Sequence, residues 1–260
     1  MAVSYPKKRR KVVPKRKSSI SKAMQAIKAD NVKNKYCEKD LTFSVISCEK
    51  EKNECMQLAY QEYLKKNYIE ESEVEANGFE KMKTIFDNVG QSIIFKAELH
   101  KKIVGTITIN FDAELGLPLD SEFPEVNSLF KRGVSEISEV TRLAISEGVE
   151  NSKDIINGLF NAVTLDLVST SKNKCLLIEV NPRHQFFYKK KMLFKQLVES
   201  RPCQRVSGAP AVLLSLSKDD CQYAYLNSQN DESIKRTLYV NFKMDKRIIE
   251  EIKDSKQVMV

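Results

Sequence analysis

Apolar and polar positions change their period from segment to segment, and those changes mark out the elements. Residues 41–47, LTFSVIS, alternate like a half-buried strand, while residues 54–66, ECMQLAYQEYLKK, set Leu58, Tyr60 and Leu64 on or near one helical face. The β-rich runs QSIIFKAEL and KIVGTITINF meet around residues 100–102 and predict a hairpin. A turn-rich stretch, GLPLDSEFPEV, leads to a short segment ending near Phe130. Residues 136–146 then read as a strand, and residues 154–168 as a helix with Ile155, Leu159, Val163 and Leu167 at every fourth position. KCLLIEV, 174–180, is nearly all apolar, as for a strand covered on both faces. It runs straight into Asn181, a good N-cap, and Pro182, which suits a first helical turn. That second helix carries Phe186, Phe187 and Tyr188. APAVLLSLS, 209–217, predicts a late strand; TLYVNF, 237–242, reads as another, before a helix carrying Ile248, Ile249 and Ile252.

Charge separates the ends from the middle. Residues 1–29 hold ten lysines and arginines and no acid, a charge of +10, while residues 30–260 carry −2, so the positive excess behind the net charge of +8 lies wholly in the first 29 residues. The stretch YPKKRRKVVPKRKSS is too charged and too poor in apolar residues to fold by itself. It reads as a solvated arm or as a contact for nucleic acid or an anionic membrane. Ile20, Met24 and Ile27 follow at helical spacing among lysines, as in a short amphipathic helix. The expected organisation is a basic arm over residues 1–35, one domain over 36–230, and a C-terminal strand and helix extension over 231–260. No apolar run approaches the roughly eighteen residues of a membrane span, and no apolar stretch follows the basic start as in a signal peptide, so a cytoplasmic protein, peripheral at a membrane at most, is expected. Cys37, Cys48, Cys55, Cys175, Cys203 and Cys221 form no C-x-x-C pair and have no histidine at metal spacing, so free thiols and no metal are expected.

The element order is β, α, hairpin, β, α, β, α, β, without a Walker or Rossmann glycine pattern. It resembles the α/β (α+β) architecture of the Gcn5-related N-acetyltransferases (GNAT), a central mixed twisted sheet flanked by helices. Four stretches carry a closer resemblance: FDNVGQSIIFKAELHKKIVGTITI, GLPLDSEF, EVTRLAIS, and VNPRHQFFYKKKMLF with RPCQRVSGAPAVLL. In order and spacing they resemble the long-chain N-acyl amino acid synthases of the FeeM type, relatives of the acyl-homoserine-lactone autoinducer synthases, over about residues 41–217. The family's hairpin arginine is Thr108 here, and of its paired acidic turn only Asp87 is present. The resemblance implies an N-acyltransferase moving a long-chain acyl group from a thioester to a small amine, an amino acid by analogy.

Such a transfer needs an acceptor for the amine's proton, and donors for the oxyanion and the leaving thiolate. Glu139 is the candidate base: on a regular strand it shares a face with Ile137, Thr141, Leu143 and Ile145, and burial there would raise its pKa. The alternative is an ion pair with a nearby Arg or Lys. Arg142 falls on the opposite face unless a β-bulge re-aims it, when it could grip an acceptor's carboxylate; otherwise it is a surface arginine paired with Glu136. Tyr188 is either the acid that protonates the thiolate or a core aromatic beside Phe186 and Phe187. Thr141 and Asp87 complete the acceptor side by family analogy. One phenylalanine would wall an acyl tunnel, and His184 is either a helix-surface residue or part of the site.

The thioester donor is the last element. GNAT enzymes that use acetyl-CoA cradle its pyrophosphate on a glycine-rich loop before a helix. The equivalent SEGVENSKD has one glycine and carries Glu147, Glu150 and Asp154, which repel a polyanion. Acyl carrier protein, whose phosphopantetheine arm brings one phosphodiester, is therefore favoured over acyl-CoA as donor. Asn151, Ser152 and Lys153 would meet the arm, and Lys190 and Lys191, in a run with Lys189 and with Lys195 nearby, would meet the acidic carrier. The lysine run also suits a solvated helix end. No permanently bound cofactor is implied. The rival readings are a CoA-dependent small-molecule acetyltransferase and a non-catalytic GNAT-fold module tethered by its basic arm.

Overall fold

A computed structural model describes residues 41–70, 78–134, 136–169 and 172–243. The basic arm, the Ile20–Ile27 segment and the helix carrying Ile248 lie outside the described residues.

Among the described residues, one seven-stranded sheet organises the fold. Its strands are β1 (Thr42–Val45), β2 (Ser92–Leu99), β3 (Lys102–Phe111), β4 (Ile137–Ile145), β5 (Cys175–Val180), β6 (Lys195–Pro202) and β7 (Pro210–Ser217), in the spatial order β1-β2-β3-β4-β5-β7-β6. Neighbours are antiparallel except β4 and β5, which run parallel with Ile137 opposite Cys175 and Val140 opposite Ile178. Beyond that pair β4 continues to Ile145 against β3, whereas β5 ends at Val180. The sheet therefore splays between its two central strands. The helices are α1 (Glu49–Lys65), α2 (Ile85–Asn88), α3 (Val126–Leu129), α4 (Ser152–Ser169), α5 (Gln185–Lys191) and α6 (Lys218–Asn227).

Alternation along the strands builds a core on each face. Leu176, Ile178 and Val180 of β5 join Ile107 and Ile109 of β3 and Val212 and Leu214 of β7 under α4, whose Ile155, Leu159 and Val163 are fully buried. Cys175 and Leu177 face the other way, into a cluster with Ile137, Leu117, Leu119 and Phe123. Further along that face α1 packs Cys55, Met56 and Ala59 onto Ile94 and Ala144. Gly158 of α4 is where β1 closes down: a Cβ there would run into the Phe43 ring. Gly→Ala inside a helix ordinarily gains about 0.5–1 kcal/mol, but at Gly158 the ring would have to move. Gly158→Ala is expected to lower stability by about 1–3 kcal/mol, the usual cost of overpacking, in urea unfolding; a gain in stability would show that Phe43 yields freely.

Three elements differ from the sequence expectation. β6 is an additional strand, at the sheet edge, where a half-exposed and partly charged sequence such as KQLVESRP needs only one partner. α6 is an additional helix, capped by Ser217 Oγ, which accepts from Asp220 N–H at 3.0 Å. TLYVNF is not a strand: Leu238–Asn241 form a 3₁₀ turn, with Thr237 Oγ1 accepting from Tyr239 N–H. Nor are residues 231–243 an appendage, since Ile234 and Tyr239 are buried in the main core and Tyr239 packs edge-on against Tyr225. The apolar spacing there reflects a plug against α4 and α6.

Candidate active site

Glu139 sits at the last paired rungs of β4 and β5, opposite Asn110 on β3 and Leu177 on β5, and is fully buried. Its Oε2 accepts from Leu119 N–H at 2.8 Å and its Oε1 from Arg205 at 2.9 Å. The same Arg205 Nη2 reaches Glu179 Oε2 at 2.7 Å, so one guanidinium nitrogen serves two carboxylates. Burial pushes the Glu139 carboxyl up, Arg205 pulls it down and Glu179 pushes it up again, leaving it at about 7. The ion pair expected as an alternative is present, yet it does not hold this carboxylate in the usual acidic range. Burial also pushes the Cys203 thiol up to about 11, so it remains an S–H and donates to Glu179 Oε2 at 3.6 Å.

The Leu119 amide is held in place from outside. Arg132 binds Asp120 with contacts of 2.7 and 2.6 Å, Asp112 at 2.9 Å and Asn127 at 2.6 Å, while Asp120 Oδ2 also accepts from Leu117 N–H. The 3₁₀ turn Pro118–Ser121 is thereby fixed over β4.

Arg142 lies on the bulge. Its φ is +54°, and the β3–β4 register shifts between Thr106 and Thr108. The extra residue re-aims Arg142 onto the face of Glu139, and moves Leu143 and Ile145 to the opposite core; the regular alternation expected for β4 ends there. Arg142 is 7% exposed and bidentate to Asp87, with both contacts at 2.7 Å, and donates to the Met82 carbonyl at 2.7 Å. Glu136 instead pairs with Lys174. Asp87 also accepts from Thr84 N–H and Ser92 Oγ, so the carboxylate and both Nη atoms of Arg142 are spent on the protein. Thr141 Oγ1 accepts from Asn110 Nδ2 at 2.9 Å, which ties it to the strand carrying Thr108.

The phenols gather beside this cluster. Tyr188 is buried, with its ring edge-on to Phe160, Phe187 and Phe194 at 5.8, 5.3 and 6.0 Å. Burial, then Tyr63 and Tyr68, push its phenol well above its usual range. Tyr63 of α1 is edge-on to Tyr68 at 5.8 Å; burial pushes its phenol up too, but Arg142 and Arg205 pull it down. Tyr68 accepts from Arg183 at 2.8 Å, and Arg183 Nε donates to His184 Nε2 at 3.0 Å, so His184 is an exposed neutral imidazole turned toward its neighbour. Burial, Arg183 and Lys66 all lower its pKa. Phe187 packs on the core, whereas Phe186, expected beside an acyl chain, projects into solvent with 70% exposure.

On the donor side Asn151, Ser152 and Lys153 are exposed at the start of α4, with Asn151 at φ +62° and its carbonyl accepting from Asp154 N–H. In the preceding loop Glu147 N–H donates to Glu62 Oε1 at 3.3 Å, and Lys65 bridges Glu62 and Glu147 at 2.9 and 3.1 Å. A protein carboxylate thus occupies a backbone donor of the loop. Lys190 is exposed, and Lys191 donates to the Arg236 carbonyl at 2.8 Å. Lys195 pairs with Asp220 at 2.7 Å.

Arg205 lines an open cleft of about 520 Å³ together with Ile69, Glu70, Gln204 and Ser207. Buried polar atoms without a partner among the described residues include Asn110 Oδ1, Arg142 Nε, Glu179 Oε1 and Arg205 Nε, all within this group of side chains. Unpaired polar atoms are rare and costly unless a site requires them. Arg205, Glu179, Tyr63 and Tyr68 were not singled out from the sequence. The one signal was Glu179, a carboxylate inside an otherwise apolar strand. The described cysteines are free thiols, and no cluster of three His, Cys, Asp or Glu among the described residues could hold a metal ion. No helix among the described residues is long and apolar enough to cross a membrane.

Known proteins share this fold. The structure of FeeM, an N-acyl amino acid synthase from uncultured soil microbes, superposes with a TM-score of 0.57 at 20% identity, over 70% of this chain and 93% of that one. The AHL synthase LasI superposes with a TM-score of 0.50 at 15% identity, over 68% and 90%. Both share the fold of the GNAT acyltransferases. No curated protein matches at the sequence level. The sequence profile of the N-acyl amino acid synthase FeeM family matches residues 54–217, and the chain belongs to that family of GNAT-fold N-acyltransferases.

Proposed function

We propose that the protein transfers a long-chain acyl group from the phosphopantetheine thioester of an acyl carrier protein to the amine of an amino acid. The observation that carries this reading is the fully buried Glu139, set where the parallel strands part, its carboxyl pushed up to about 7 by burial. A base poised near neutrality suits removal of a proton from an attacking amine. Arg205, the ion-pair partner of Glu139, also lines the open cleft, which would admit the substrate.

The donor preference is supported by Glu62 and Glu147. A pyrophosphate approaching the β4–α4 loop would meet two carboxylates that share one lysine, while a carrier arm brings a single phosphodiester. The acidic carrier would meet Lys189 and Lys190, which are exposed on α5. Phe186, uncovered on the same helix, offers apolar surface for a chain to cover.

The test presents purified protein with carrier proteins bearing acyl chains of two to sixteen carbons, the matching CoA thioesters and a mixture of amino acids, and follows amide formation by mass spectrometry. Each buried methylene contributes about 0.8 kcal/mol, so a fourteen- or sixteen-carbon donor should exceed acetyl by orders of magnitude in kcat/KM. Equal use of the two-carbon donor would defeat the long-chain reading, and preference for CoA would defeat the carrier reading.

A further inference from the structure

The two carboxylates around Arg205 are not equivalent. Both oxygens of Glu139 already accept from the protein, one from Leu119 N–H and one from Arg205. Glu179 uses only Oε2, for Arg205 and the Cys203 thiol; its Oε1 is buried and has no donor among the described residues. Glu139 has no exposure, while the Glu179 side chain retains 10%, and Arg205, which joins them, borders the open cleft. Among the described residues, the titratable or charged groups that act on this pair include Arg205, the Cys203 thiol and, from α1, the Tyr63 phenol. One cation cannot neutralise two carboxylates, so the cluster favours an incoming positive charge or proton.

We propose that Glu179 is a second proton acceptor of the acyl transfer and meets an ammonium substrate through Oε1, a role that rests on the acyl-transfer reading above. An amino acid arrives near neutral pH largely as its ammonium form and loses two protons before it is an amide nitrogen. The first N–H bond breaks toward Glu179 Oε1 and leaves a neutral amine. The nitrogen lone pair then forms the C–N bond at the thioester carbonyl and the second N–H proton passes to Glu139. The C–S bond breaks with its electron pair on sulfur, and the thiolate takes the proton held by Glu139. The proton on Glu179 leaves to water through the cleft. Ammonium and thioester thus become amide, thiol and one released proton, with both carboxylates restored.

Glu179→Gln keeps the shape and an oxygen for Arg205 while removing the acid. In the full chain, with hexadecanoyl carrier protein and an amino-acid mixture, its kcat at pH 7 should fall about 10²-fold. Most of the loss should be recovered by pH 9, where free amines deprotonate unaided. Glu179→Asp, which keeps the acid, should retain an intermediate rate without that pH dependence. Infrared titration of isotope-labelled carboxylates should also show the Glu139 midpoint moving down in Glu179→Gln, because a like charge has been removed. Parental rates across the pH range, a loss equal at pH 7 and pH 9, or an unmoved Glu139 midpoint would each overturn the role. Glu139→Gln run in parallel separates the two levels: if it is inactive while Glu179→Gln is unimpaired, only the second acceptor fails. If neither matters, or the parent makes no amide, the acyl-transfer reading fails and takes this one with it.

Discussion

Glu139→Gln is expected to abolish most turnover while leaving a protein at least as stable as the parent. Gln keeps an oxygen for Leu119 N–H or Arg205, and removing a positioned base typically costs about 10²–10⁴-fold in rate. The stability side follows from the same carboxyl. Its folded pKa of about 7 stands above the ordinary 4.5, raised first by burial. A raised carboxyl adds stability that is fully present below pH 4.5 and is lost as pH rises through 7. Above that, an ionised Glu139 costs the fold on the order of 1–3 kcal/mol, and the amide variant escapes this cost. Activity should therefore fall on the acid side of pH 7 in the parent, and the gap in melting temperature between variant and parent should widen from pH 5 to pH 8. Full turnover in a folded Glu139→Gln would remove the base from the mechanism.

Arg142→Met is expected to be the most destabilising single change on this face. It leaves Asp87, with a side chain 1% exposed, deprived of both guanidinium contacts. Breaking one partner of a buried pair costs about 3–5 kcal/mol, measurable as a lower urea midpoint. Burial works to raise the Asp87 carboxyl, but Arg142, with help from Thr84 and Ser92, holds it below its usual 3.8. The pair's contribution is therefore present above pH 3.8 and lost as pH falls through the lower folded value. Adding Asp87→Asn to Arg142→Met should recover part of the loss, since no buried charge is then stranded. A stable Arg142→Met with a raised KM for the amine would instead return Arg142 to the acceptor.

The central strands were legible because burial on both faces leaves a nearly unbroken apolar run, as in β5. β6 was not, because an edge strand carrying Glu199, Ser200 and Arg201 satisfies no burial pattern. Arg205 follows that unread strand in a short 3₁₀ turn, so nothing local marked it. Glu139 was visible through strand alternation and family resemblance together. The bulge at Arg142 was foreseeable as the way to turn its side chain inward. Its partner was not: Asp87 lies 55 residues away, and only the fold brings them together. Phe186 shows the limit of a local reading in the other direction, since adjacent aromatics on a seven-residue helix need not share its buried side.

Loops are ordinarily where a protein tolerates changes of length, but the segment from Asp112 to Gly133 has little of that freedom. Arg132 ties its end back to Asp112 and Asp120, and Gly133 N–H donates to Asp112 Oδ2 at 2.6 Å. Between those ties lies the Leu119 amide that meets Glu139. A residue inserted or deleted here would shift that amide along with the turn that carries it. For redesign, this irregular stretch belongs with the rigid frame of the enzyme, and grafts or tags are better directed to connections that carry no part of the Glu139 cluster.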